Sequence, residues 1–129
     1  MKRLFACIAV IVFAFTGAVL AQAPAPIKRT PLQKFDVPGT NYETVIGNRR
    51  DRAECADREA HPSGPESGYM LEGEMTLMVQ GQPDKVVKVG ESYIVPPGAV
   101  YDAKTGAVGA KVIATYVVEK GKPLASPAQ

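Results

Sequence analysis

Between Tyr42 and Val118 the chain breaks into short apolar runs separated by glycine and proline. Tyr42–Ile46, Tyr69–Leu71, Met75–Val79, Lys85–Val89, Tyr93–Val95 and Ala110–Val118 each have the length and β-branched or aromatic content of a strand. Lys85–Val89 alternates in part, as a half-buried strand does. Gly73, Gly81-Gln82-Pro83, Gly90 and Pro96-Pro97-Gly98 punctuate these runs. Glycine enters left-handed backbone without cost, so it marks the turns between strands. No stretch of this region carries the period of a long helix. The pattern predicts an all-β domain, a barrel or sandwich, over residues 35–119. Met70, Met75, Met78, Leu71 and Leu77 are expected in its core, and Glu72 and Glu74 in solvent.

The flanks are different. Met1-Lys2-Arg3 is a basic start, Leu4–Leu20 is almost wholly apolar, and Val19-Leu20-Ala21 offers small residues for cleavage. Residues 1–21 therefore read as a secretory signal peptide, which makes the protein exported, periplasmic or secreted. An uncleaved anchor is the alternative, because the apolar run nears the lower limit for spanning a bilayer. Residues 22–34 form a linker that begins Pro/Ala-rich, and residues 120–129 form a polar tail.

Of 129 residues, 15 are Lys or Arg and 13 are Asp or Glu, a formal charge of +2 that Lys2 and Arg3 supply. The mature domain is neutral, which gives no electrostatic case for nucleic acid or an anionic membrane. Cys55 is the single cysteine left after cleavage, so the domain has no internal disulfide and is held by its core. Cys55 lies among mixed charges and reads as an incidental thiol.

Residues 49–59 break the pattern. All but Ala53, Cys55 and Ala56 are charged, with neither a period of two nor an apolar face. Such a stretch predicts a solvated loop or a short surface helix. A sharper hypothesis comes from the codons. Synonymous codons for Asn48 to Gly64, read one nucleotide later, spell I-A-E-I-A-P-S-A-Q-I-G-R-H-T-H-P-G, an alternating strand, a turn and a His-x-His motif. Residues 48–64 would then be out of frame between two compensating one-base changes. Genomic sequence across codons 47 to 66 tests this, and a codon choice incompatible with that string removes it.

Two spacings carry a family resemblance. Glu66 precedes Gly73 by seven positions, and Gly90 is followed by Pro96 and Gly98. They resemble the halves of the cupin motifs G-x5-H-x-H-x3/4-E-x6-G and G-x5-P-x-G-x2-H-x3-N, over roughly Val45 to Val118. The resemblance implies a single small cupin-like β-barrel, a double-stranded β-helix or jelly roll. It also implies a divalent metal (Fe, Mn, Zn or Ni) held inside the barrel. Here the histidines depart from the motif. His61 is the one histidine in the chain, Tyr101 stands where the second motif has histidine, and Thr105 where it has asparagine. In one register Glu59 and His61 take the two histidine positions, giving Glu59, His61, Glu66 and Tyr101 as ligands. In the other, Ala60 and Pro62 align, His61 points away, and Glu66 and Tyr101 are too few for a tight transition-metal site. Glu66→Ala is expected to leave a metal-free barrel nearly unchanged.

Three functions follow. The first is a binding barrel for a small molecule, its pocket lined by Tyr69, Met70, Tyr93 and Tyr101. The second is a metal-dependent enzyme of the dioxygenase or isomerase kind, which suits an unshifted gene product with two histidines and Glu66. The third is an inactive protein whose charged segment has replaced a core strand at a cost in stability. The resemblance leaves a homodimer paired through edge strands open, and the fold names no substrate.

Overall fold

Glycine corners decide how the chain moves between two sheets. The computed structural model describes residues 27–55 and 60–127, the side chains of Ala60, His61 and Pro127 excepted. The expected signal peptide, residues 22–26 of the expected linker, and Glu59 lie outside them. Ten strands follow one another: β1 Ile27–Asp36, β2 Tyr42–Asp51, β3 Ala60–Pro62, β4 Glu66–Glu72, β5 Glu74–Val79, β6 Lys85–Lys88, β7 Ser92–Val95, β8 Tyr101–Thr105, β9 Ala110–Glu119 and β10 Ala125–Pro127. One antiparallel sheet has the order β1-β2-β9-β4-β7 and the other β10-β3-β8-β5-β6. The chain leaves the first sheet for the second at Gly73, between β4 and β5, and again at Pro96-Pro97-Gly98, between β7 and β8. Gly73 has φ +74° and Gly98 φ +71°, values that side-chain-bearing residues reach only with strain. Two facing sheets joined by such corners, with no helix among the described residues, make the expected jelly roll.

The core lies between the sheets. Val45, Met70, Tyr93, Val95, Val112, Ala114, Tyr116 and Val118 face inward from the first sheet, and Met75, Leu77, Val79, Val87, Tyr101 and Ala103 from the second. Period two governs which side chains enter. In β9 every other residue from Ala110 to Val118 is buried. In β4 Met70 is buried, so its neighbours Tyr69 and Leu71 point outward.

Three expectations from sequence need correction. The linker was expected through residue 34, yet β1 begins at Ile27 and pairs with β2 along its length. Most of its side chains are exposed, so an edge strand held by backbone hydrogen bonds has no apolar signature. Pro31, which lacks an N–H, sits at a register shift opposite Gly47. A Cβ on Gly47 would come within 2.9 Å of the Thr30 carbonyl, so the glycine lets the edge strand close up there. Residues 120–129 were expected as a polar tail outside the barrel domain, but Ala125–Pro127 pairs with Ala60–Pro62 in the second sheet. The charged stretch was expected outside the barrel, but Arg49, Arg50 and Asp51 complete β2.

Candidate functional site

Strand β2 carries its inward series past the apolar residues. Val45, Gly47, Arg49 and Asp51 are buried in alternation, opposite Tyr116, Ala114, Val112 and Ala110 of β9. The side chains of Arg49 and Asp51 therefore enter the barrel, 0% and 2% exposed, while Arg50 between them faces solvent. A charge that deep persists only when partnered. Arg49 Nε donates to Asp51 Oδ1 at 2.9 Å, and Arg49 Nη2 donates to Asp51 Oδ2 at 2.8 Å. This fork is the geometry in which guanidinium binds carboxylate most strongly. On its other side Arg49 Nη1 lies 3.5 Å from Glu66 Oε1 and donates to the Tyr101 hydroxyl at 3.3 Å.

Glu66 is the centre of this group. It opens β4, is fully buried, and receives the Tyr93 hydroxyl at 2.7 Å on Oε1 and the Tyr101 hydroxyl at 3.1 Å on Oε2. Tyr101 reaches across from the opposite sheet, and its oxygen also accepts from Arg29 Nη2 of β1 at 3.2 Å. That phenol thus gives one hydrogen bond and takes two, the full capacity of a hydroxyl. Tyr93 reaches Glu66 because Gly68 lies directly opposite it in the β4–β7 pair. A Cβ on Gly68 would run into the Tyr93 ring. Gly47, Ala114 and Gly68 stand side by side across three strands, and this row of small residues gives the ring and the arginine their space.

The cluster shifts its own protonation equilibria. Burial opposes the charge on Arg49, but the Asp51 hydrogen bond and the fields of Tyr93 and Asp51 hold its pKa well above the usual value. Burial, then the charge of Glu66, pushes Tyr93 well up. The same two causes, in the same order, push Tyr116 up to about 12. A raised tyrosine favours folding fully below the unfolded value near 10, and that contribution is lost as pH rises through the folded value. Stability should therefore fall between about pH 10 and about pH 12, by about 3 kcal/mol for Tyr116 alone at about 1.4 kcal/mol per unit. A tyrosinate absorbance titration checks this directly: Tyr93 and Tyr116 should ionise only above the range of free tyrosine. If either ionises in the ordinary range while the protein stays folded, the buried environment assigned to it is wrong.

The sequence candidates are distributed unevenly. Glu66, Tyr101 and Tyr93 converge in one buried group. Met70 is core, and Tyr69 lies on the outer face of the sheet with Ile94 and Ile113. The expected pocket of Tyr69, Met70, Tyr93 and Tyr101 is therefore not one wall, because alternation sends Tyr69 and Met70 to opposite faces. His61 sits in β3, its backbone paired with Ser126, and Glu59 lies outside the described residues. Thr105 serves the backbone: its hydroxyl accepts from Cys55 N–H at 3.1 Å and donates to the Arg52 carbonyl at 2.5 Å. Sequence reasoning missed Arg29, Arg49, Asp51 and Tyr116. For Arg49 and Asp51 the signal was present, since they extend the odd-numbered series begun by Val45.

These donors fit a divalent metal poorly. Both Glu66 oxygens are held by phenol hydroxyls, and a guanidinium stands beside one of them. Among the described residues no three His, Cys, Asp or Glu side chains gather as a metal site. A carboxylate ligand must lie about 2.0–2.2 Å from zinc. Reaching that distance would displace a tyrosine and set two cations side by side in a dry interior, where charges repel strongly.

A cavity of about 330 Å³ adjoins the cluster. Leu77, Val79 and Tyr93 form its inner wall, and Gln82, Pro83, Lys85, Ser92 and Ile94 its rim, where the β5–β6 turn meets β7. Lys85 Nζ donates to the Ser92 carbonyl at 2.7 Å across that rim.

Comparison with known proteins agrees with this geometry. Residues 52–121 match a family model described as a cupin domain. No curated protein matches the chain. Among solved structures, a DMSP lyase from Ruegeria pomeroyi DSS-3 is 13% identical, with TM-score 0.60, over 66% of this chain and 43% of that one. A conserved protein with a double-stranded β-helix domain from Klebsiella pneumoniae subsp. pneumoniae MGH 78578 is 17% identical, with TM-score 0.62, over 84% and 90%. A recombinant oxalate oxidase in complex with glycolate is 20% identical, with TM-score 0.61, over 82% and 57%. The chain spans less than half the length of the DMSP lyase and just over half that of the oxalate oxidase. At these identities the likeness is one of fold.

Proposed function

The chain belongs to the cupin domain family, and from that membership we propose that it is an exported barrel that binds a small molecule. One observation carries the reading: Tyr93 both lines the 330 Å³ cavity and hydrogen-bonds buried Glu66. A ligand in the cavity would rest against a ring whose position is fixed from behind. Leu77 and Val79 offer an apolar floor, and Gln82 and Lys85 offer polar anchors at the mouth. That combination suits a small aromatic or aliphatic carboxylate, its apolar body inside and its charge toward Lys85. Export rests on the sequence of residues 1–21.

Thermal unfolding with a panel of small carboxylates tests the proposal. A ligand at a hundred times its Kd should raise unfolding free energy by about 2.7 kcal/mol. Ser92→Trp, at the exposed rim of the cavity, should abolish that gain. A gain that persists in the variant puts the ligand elsewhere, and the absence of any gain across the panel ends this reading. The metal-dependent dioxygenase or isomerase reading belongs to a gene product with an intact His-x-His motif. The nucleotide sequence of codons 47 to 66 decides whether such a product exists.

A further inference from the structure

We infer that Arg49 is the resident cation of this barrel, its guanidinium standing where the family's fold implies a metal ion. The inference concerns what organises the interior, and it stands whether or not the neighbouring cavity binds a carboxylate. Three features of the geometry support it. First, Glu66, the carboxylate that the family resemblance assigns to the metal, has Arg49 Nη1 3.5 Å from its Oε1. Second, Tyr101, at the position of the second motif's histidine, accepts a hydrogen bond from the same Arg49 nitrogen. The motif's carboxylate and the tyrosine in place of its histidine thus both turn toward one guanidinium. Third, Arg49 brings its own second anion, Asp51, two residues along the same strand and on the same face. A +1 guanidinium between two buried carboxylates leaves these three groups with one negative charge in excess, and the Arg29 guanidinium, hydrogen-bonded to Tyr101, is the further cation beside them. A buried ionic group persists only with such partners, and Arg49 is the member of the set that touches both carboxylates.

The consequence is testable with divalent ions alone. The protein as purified should contain no stoichiometric iron, manganese, zinc or nickel. Its melting temperature should stay the same with chelator or with added Mn²⁺ or Zn²⁺. Arg49→Ala removes the cation and leaves Asp51 and Glu66 facing an emptied space. Its melting temperature should fall, then recover by several degrees with added Mn²⁺ or Zn²⁺, or with millimolar guanidinium, to which the wild type is indifferent. Arg49→Lys keeps a cation and should fold and remain insensitive to metal. Stoichiometric metal in the wild type overturns the inference, as does an equal metal-induced shift in wild type and Arg49→Lys. If Arg49→Ala does not fold, those two measurements still decide. If it folds and neither ion restores it, the place of Arg49 is not a cation site and the inference fails.

Discussion

Replacing Arg49 with alanine should lower the unfolding free energy by about 3–5 kcal/mol, whereas the same change at Arg50 should move it by no more than about 0.5 kcal/mol. The two residues are adjacent and chemically identical, and differ only in the face of β2 from which they project. Removing Arg49 leaves Asp51 and Glu66 buried without their shared counter-ion and opens a cavity in a packed interior. Removing Arg50 takes a charge from solvent. For a domain near 100 residues the larger loss is a melting temperature lower by at least about 12 °C. Urea unfolding of the two variants side by side measures it, and equal effects would show that residues 49–51 are the solvated segment their charges suggest. Glu66→Ala follows the same logic. It was expected to be almost silent in a metal-free barrel. The structure reverses that, because two tyrosine hydroxyls and Arg49 depend on Glu66, and the loss should again reach several kcal/mol. In a double-mutant cycle, Arg49→Ala with Asp51→Ala should cost less than the sum of the single changes.

Gly73→Ala should cost about 2–5 kcal/mol. An alanine there adopts φ +74° at about 1–2 kcal/mol, and its Cβ meets the Gly109 carbonyl, which adds the about 1–3 kcal/mol of overpacking. The obstacle is backbone of the β8–β9 loop, which cannot rotate aside as a side chain would. Gly39→Ala is the control: its φ is +75°, but nothing lies within 4 Å of the added carbon. It should show the conformational strain alone. If the two substitutions cost the same, the close approach at Gly73 carries no energy, and its role is that of any left-handed turn.

The sequence by itself determined the corners and the strands between them. Gly73 and Pro96-Pro97-Gly98 are legible because left-handed backbone and rigid turns demand particular residues wherever they occur. They sit where the chain changes sheet, so the barrel could be read from them. Met70, Met75 and Leu77 are core as their apolar character implied, whereas Leu71 is exposed and Met78 only half-buried, because alternation turns a buried residue's neighbour outward. The motif spacing singled out Glu66 and Tyr101, now joined by a hydrogen bond. The edge strand β1 was not legible, because its hydrogen bonds are made by backbone that every sequence possesses. Arg49 and Asp51 were misread for a different reason. A run of charges normally lies in water, since an ion loses its hydration on burial. Part of what replaces it is local, the fork between Arg49 and Asp51, but a run of mixed charges does not show that the pair is buried. The rest comes from Glu66 on β4 and Tyr101 on the opposite sheet. Whether a charge is solvated or buried depends on which partners the fold brings to it, and only the closed barrel sets that.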